Sequence, residues 1–211
     1  DSGKLNYHLK LLISAELITK EEQDYKLTKL GERLGMYFNQ FEFKEFYPVP
    51  AVILASIKDD EILLAKWNNK PIKNFWVLPG DKQNIGETIE ECTLRLCKKE
   101  LGVPGKFKKI FGIYPSIVRD GDEISYHAYL IVVLVDIIDE SKETFFVPTD
   151  KHISELKYFK FDEINFNKIG PSNRNILWDL KSRKKFIFKE QDIWLILNKT
   201  YNHNSNTYTT N

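Results

Sequence analysis

Leu78-Pro79-Gly80-Asp81-Lys82-Gln83-Asn84-Ile85-Gly86-Glu87-Thr88 opens the decisive stretch of this chain. It continues through Ile89-Glu90-Glu91-Cys92-Thr93-Leu94-Arg95-Leu96-Cys97-Lys98-Lys99-Glu100-Leu101-Gly102-Val103. Phe75-Trp76-Val77-Leu78 reads as a strand that ends at Pro79-Gly80, because proline has no N–H to give to a ladder. Residues 81–87 read as a loop. Thr88 and Glu91 stand at capping-box spacing, so a helix is predicted over 88–101. Gly102, free to turn left-handed, stops it. Glu90 and Glu91 suit the positive end of the helix dipole.

Outward from this stretch the texture is strand-rich. Residues 49–57 are apolar and β-branched, Asp59-Asp60 makes a turn, and 62–67 return as a strand. Residues 107–118 and 124–138 flank Asp120-Gly121, a strong hairpin signal. His127, in an apolar strand, is expected to pack rather than to bind a ligand, and Phe75 and Trp76 to lie in the core. Another strand ends at Tyr158-Phe159, and Asp162-Glu163-Ile164 starts a short helical piece. Helices are expected over 176–181 and 189–201, with the basic cluster Arg183-Lys184-Lys185 between them. A disordered tail rich in Asn and Thr follows.

Composition narrows the class. The 211 residues carry 31 basic and 30 acidic side chains, a net charge of +1, which gives no global pull toward nucleic acid or membrane. With 42% hydrophobic and 13% aromatic residues the chain can bury a core. Cys92 and Cys97 fit neither a disulfide framework nor a zinc site and are expected to be packing residues. The apolar run 128–135 is too short to cross a bilayer and reads as a buried strand. The first residues have no signal-peptide pattern, so a cytoplasmic setting is expected.

The decisive stretch resembles the Nudix box, whose pattern is G-x5-E-x7-R-E-U-x-E-E-x-G-U with U aliphatic. Glu87, Arg95, Glu100, Gly102 and Val103 fall on family positions without a gap. The resemblance implies a Nudix α/β/α sandwich with a mixed sheet over residues 46–165. It also implies hydrolysis of a nucleoside diphosphate linked to another moiety, with Mg²⁺ or Mn²⁺ as cofactor if the chain is catalytic and none otherwise. Such hard cations want oxygen ligands. By resemblance the catalytic candidates are Glu87, Arg95 and Glu100, and the metal candidates Glu100, Glu87 and Gly80. Two of the three glutamates of R-E-U-x-E-E are replaced, by Leu96 and Lys99, and the opening glycine is Asp81. Arg95, Leu96, Lys99 and Glu100 sum to +1 where the family set sums to −2. A face of that charge should hold Mg²⁺ poorly and could hold a phosphate through Arg95 and Lys99. If metal is kept, Asp81 and a carboxylate from a later loop, such as Glu155, would have to help. Arg119-Asp120-Gly121-Asp122 resembles a substrate-side loop of Nudix enzymes acting on ADP-ribose-like molecules, which adds Arg119 to the phosphate-binding candidates; a plain hairpin turn explains it equally well. One of Tyr114, Tyr126 or Tyr129 is a candidate for stacking on a base.

At the amino end Leu5, Leu9, Leu12, Ile13 and Leu17 recur at helical spacing. Residues 17–20 and 25–28 read as two short strands, and Thr28 as the cap of a helix through Leu34. Residues 1–45 resemble part of a winged helix-turn-helix module, its recognition helix first. That resemblance implies double-stranded DNA as a partner, contacted by Ser2, Lys4, Asn6, Tyr7 and Lys10, and a homodimer on a palindromic site. A dimerisation arm is the competing reading.

The expected organisation is thus a partial winged helix over 1–45, the Nudix domain over 46–165, a helical segment over 166–201 and a tail over 202–211. Two functions stay open. The sequence favours a regulator in which a Nudix-like domain binds a nucleotide-diphosphate ligand with weak or no hydrolysis, joined to a DNA-binding module. The alternative is a metal-dependent Nudix hydrolase cleaving a nucleoside diphosphate derivative such as ADP-ribose.

Overall fold

A computed structural model describes residues 2–22, 24–37, 47–70, 72–138, 150–182, 185–196, 199–203 and 207–209. The chain divides into two units, Asp1–Tyr47 and Pro48–Asn211.

The first unit has helix α1 (Ser2–Ser14), strands β1 (Ile18–Glu21) and β2 (Asp24–Leu27), and helix α2 (Lys29–Tyr37). β1 and β2 pair antiparallel, as their residue types predict. Thr28 caps α2, its Oγ1 accepting from the Gly31 N–H at 3.0 Å. Gly31 is required there, because a Cβ would lie 2.0 Å from the Leu17 carbonyl oxygen. The apolar stripe of α1 stays largely uncovered within this unit: Leu5, Leu11, Leu12 and Ile13 are exposed.

The second unit is built on a mixed sheet. Its strands are β3 (Val49–Ala55), β4 (Ile57–Lys58), β5 (Glu61–Trp67), β6 (Trp76–Val77), β7 (Gly80–Lys82), β8 (Gly105–Asp120), β9 (Glu123–Ile137), β10 (Ile153–Lys160), β11 (Ile187–Lys189), β12 (Gln191–Ile196), β13 (Lys199–His203) and β14 (Thr207–Thr209). Helix α3 (Ile89–Leu96) and helix α4 (Pro171–Lys181) complete it. The larger sheet runs β13-β12-β8-β9-β3-β7, with β11 beside β8 and β14 beside β11. β10, β5 and β4 form a second sheet that also takes β6. β8 and β9 are the long hairpin that Asp120-Gly121 announces, and Gly121 takes φ 59° at its turn.

Strand β3 is apolar on both faces because both are covered, the pattern of a strand inside a sandwich. Val52 and Leu54 meet Cys92, Leu96, Cys97 and Leu101 on the α3 side. Ala51 and Ala55 belong to the core that α4 closes with Ile176, Leu177 and Leu180. The layers are helix, sheet and helix.

The carboxyl-terminal reading needs correction. α4 begins five residues before the predicted 176, because Pro171 pre-sets the first helical position. No helix forms among the described residues of 189–201. Ile187, Lys189, Gln191 and Ile193 are the buried residues of a two-residue alternation, and β11 and β12 pair parallel with β8. Edge space beside the long hairpin selects strands over helical spacing. Two stretches expected to be tail, 202–203 and 207–209, also lie in strands. Arg183 and Lys184 lie outside the described residues.

Candidate active site

Strand β7 brings Asp81 to the site. It pairs antiparallel with β3 so closely that a Cβ on Gly80 would lie 2.4 Å from the Val52 carbonyl oxygen. Gly80 is therefore fixed by packing. The strand before it is pinned from α4: the Leu78 N–H donates to Asn173 Oδ1 at 2.8 Å, and the Gly170 N–H donates to the Trp76 carbonyl at 2.8 Å.

The loop after β7 closes on Glu87. Asn84 donates to the Glu87 carboxylate from its backbone N–H at 2.9 Å and from Nδ2 at 3.1 Å. Thr88 then caps α3 with the full capping box predicted for it. Two turns down the helix, Arg95 grips the loop. Its Nε and Nη2 donate to the two Glu87 oxygens at 2.5 and 2.8 Å, and Nη2 also donates to the Lys82 carbonyl at 3.0 Å. That two-pronged pair holds the Glu87 carboxyl down at about 2. Both Glu87 oxygens are thereby engaged within the loop and turned to Arg95 and Asn84. The expectation that Glu87 faces a metal is not met by this arrangement.

After Leu96 the helix widens into a π-helical stretch, Cys97–Leu101, and ends at Gly102 with φ 73°. Leu96 fills the core, where the family glutamate would carry charge. Lys99 and Glu100 sit on the widened turn. The Lys99 ammonium lies 2.7 Å from Asp81 Oδ2, 3.3 Å from Asp150 Oδ2 and 3.5 Å from Glu100 Oε1. Three carboxylates from β7, from the turn before β10 and from the π-helical stretch after α3 thus meet one lysine. The Glu100 and Asp150 side chains are nearly enclosed, at 3% and 8% exposed.

Their electrostatics follow from that enclosure. Burial, then the nearby Asp150 charge, pushes Glu100 up to about 7. Burial also works to raise Asp81 and Asp150, but for Asp81 the Lys99 hydrogen bond and the Lys82 N–H prevail, and for Asp150 the His152 N–H and Lys99 do. Both end below the ordinary aspartate range. The hydrogen bond to Asp81 leads the effects that raise Lys99 above the usual lysine value.

Sequence reasoning missed Asp150. It named Glu155 as a loop carboxylate, but Glu155 sits on β10 and pairs with Lys66 at 3.5 Å. Arg119 goes elsewhere too: its Nε donates to Asp192 at 2.9 Å and its guanidinium lies over Trp194 on β12. Tyr114 is removed from the base-stacking candidates, since it is buried with its hydroxyl donating to Asp179. Tyr126 and Tyr129 keep exposed surface, and the Tyr126 hydroxyl is raised by burial first and by the Asp81 charge second. His127 is half-buried and stacks on Tyr129. Cys92 and Cys97 are buried and unbridged, and burial raises both thiols to about 11.

Hard carboxylate oxygens suit Mg²⁺ or Mn²⁺ in kind. Their arrangement does not, because the Lys99 ammonium stands where the three carboxylates converge. Among the described residues no three His, Cys, Asp or Glu side chains are set to hold a metal ion.

The NUDIX domain family model matches residues 47–180, more than half of the chain. The chain belongs to the Nudix family. An ADP-ribose pyrophosphatase of Methanocaldococcus jannaschii is 38% identical over 109 residues, which is 47% of this chain and 63% of that protein. The chain therefore spans less than two thirds of that relative. An uncharacterized Nudix hydrolase of Bacillus subtilis, YvcI, is 33% identical over 124 residues, covering 56% of this chain and 70% of its own length. In fold the chain is similar to a NUDIX hydrolase from Nitrosomonas europaea, with TM-score 0.55, 16% identity and coverage of 84% of this chain and 93% of that one. A MutT NUDIX hydrolase from Burkholderia pseudomallei gives TM-score 0.52 and 21% identity over 63% and 98% of the two chains.

These relatives correct the reading of a regulator with weak or no hydrolysis, since they are named as a pyrophosphatase and hydrolases. The physical source of the error is the charge count. It took the helix alone as +1 and left out Asp81 and Asp150, which the fold sets against Lys99. None of the relatives above is described as DNA-binding or dimeric. Lys4, Asn6, Tyr7 and Lys10 are exposed on α1, and their assignment to DNA, with Ser2, keeps only the resemblance behind it. Among the described residues no helix is long and apolar enough to cross a membrane.

Proposed function

We propose that the Nudix domain hydrolyses ADP-ribose or a closely related nucleoside diphosphate linked to a second moiety. The identity with the archaeal ADP-ribose pyrophosphatase supports the substrate class. The single structural observation that carries the chemistry is Glu100, a buried carboxyl poised at about 7 beside the Lys99 cation. A base is most effective when its pKa lies near the working pH.

Water attacks one phosphorus of the diphosphate. Its proton passes to Glu100, and the bond from that phosphorus to the bridging oxygen breaks. ADP-ribose would give AMP and ribose 5-phosphate. Lys99 supplies positive charge at the reacting end, and the Arg95 clamp on Glu87 and Lys82 keeps the loop shaped. Arg95 thereby acts as a positioning residue.

The test is product analysis with ADP-ribose, dinucleotides, sugar nucleotides and nucleoside triphosphates, run with Mg²⁺, with Mn²⁺ and with chelator. Turnover of ADP-ribose to AMP, lost in Glu100→Gln, is the expected result. Absence of turnover across the whole panel overturns the reading.

A further inference from the structure

The carboxylates and the expected metal disagree at one atom, the Lys99 ammonium. Asp81, Asp150 and Glu100 come from three separate elements, 69 residues apart at the extremes in sequence (81 to 150), yet all three point at it. Two of them are nearly enclosed, so their negative charge needs a cation beside it. The contacts of 2.7–3.5 Å are those of an ammonium with carboxylates. A magnesium ion would need oxygens at roughly 2.1 Å in octahedral array. The lysine is also tethered, so its ammonium is present at the site at every metal concentration.

We propose that Lys99 holds the cation position of this Nudix site as a built-in counter-charge and thereby keeps divalent ions out from between Asp81, Asp150 and Glu100. The proposal rests on reading this site as the place where the diphosphate is cleaved. It goes beyond that reading in stating that the resident cation is part of the chain, so that hydrolysis needs no metal held by these carboxylates. It also states that a single substitution converts the site. As placed, the three carboxylates are not set for a metal ion; without the ammonium their oxygens, 2.7–3.5 Å from one point, are free to close on a hard divalent ion.

The experiment is a titration of the full chain with Mn²⁺, followed by electron paramagnetic resonance of the free ion. Native protein is expected to show no one-to-one uptake at micromolar Mn²⁺. Lys99→Met is expected to take up one ion per chain, at least about tenfold more tightly, and Lys99→Met with Asp150→Asn to lose it again. Lys99→Arg preserves the charge and should exclude the ion as native protein does, which guards against misfolding of the methionine variant. One-to-one uptake by native protein that Asp150→Asn abolishes overturns the proposal. So does failure of a folded Lys99→Met variant to bind. Neither result depends on turnover. If ADP-ribose is not cleaved while the titration behaves as expected, the substrate reading fails and the cation assignment stands.

Discussion

Glu100 and Glu87 are both glutamates of one short segment, and their surroundings drive them in opposite directions. Glu100 is raised to about 7 by burial first and by Asp150 second. Its basic form accumulates as pH rises through that value. The kcat/KM for ADP-ribose should therefore climb between pH 6 and about 8 and then level, and a profile flat across that range would remove Glu100 as the base. Glu100→Gln should lower the rate by about 100- to 10,000-fold, as loss of a positioned base does. Glu87 behaves as a strut. Arg95 holds its pKa at about 2, below the ordinary 4.5, so its ionised form favours the folded state. That contribution is complete above pH 4.5 and is lost as pH falls toward 2. Thermal melts of the native chain and Glu87→Gln should differ at pH 6 and converge toward pH 2. At this scale the sequence was partly legible. Box spacing placed Arg95, Lys99 and Glu100 correctly on one helix, but a count along that helix could not include Asp150, which reaches Lys99 only through tertiary folding.

At the scale of elements, β7 is three residues long and still decides where Asp81 stands. Gly80→Ala adds a methyl 2.4 Å from a backbone oxygen of β3, so strand β7 must shift. A destabilisation of about 1–3 kcal/mol is expected, as for other overpacked sites, with a fall in activity as Asp81 leaves Lys99. Denaturant midpoints and rates on the same preparation check both, and an unchanged midpoint would mean the contact relaxes freely. The π-helical stretch Cys97–Leu101 is the element the sequence hid. Capping signals at Thr88 and Gly102 fix where the helix begins and ends, and nothing in the intervening residue types announces a wider turn. Such bulges are frequent at functional sites, and this one carries Lys99 and Glu100. The β8–β9 hairpin was readable because Asp120-Gly121 is a local signal. Strands β11 and β12 were not, because their pairing partner β8 lies about 75 residues away.

Across the whole Nudix unit, the carboxyl-terminal strands are tied to the core by charge as well as by apolar contact. Lys189 on β11 donates to Asp179 on α4 at 2.8 Å, and Tyr114 of β8 donates to the same oxygen at 3.3 Å. Asp179 is fully enclosed. Lys189→Met would remove the cation beside that buried carboxylate, at a cost of about 3–5 kcal/mol. Adding Asp179→Leu should recover much of the loss, and chemical denaturation of the two variants measures it; equal losses would assign the effect to packing. The α/β/α layering was legible because apolar runs and their turns are local. The closure of the unit by residues after 166 was not, since it depends on this buried pair. The same layering puts both thiols of the chain under α3, inaccessible and raised to about 11. Alkylating reagents need a thiolate that solvent can reach. Native protein should resist them until α3 lifts, so the rate of Cys92 and Cys97 labelling becomes a clock for opening of the helix that bears Arg95. A bound nucleotide diphosphate that braces the neighbouring loop should slow that clock.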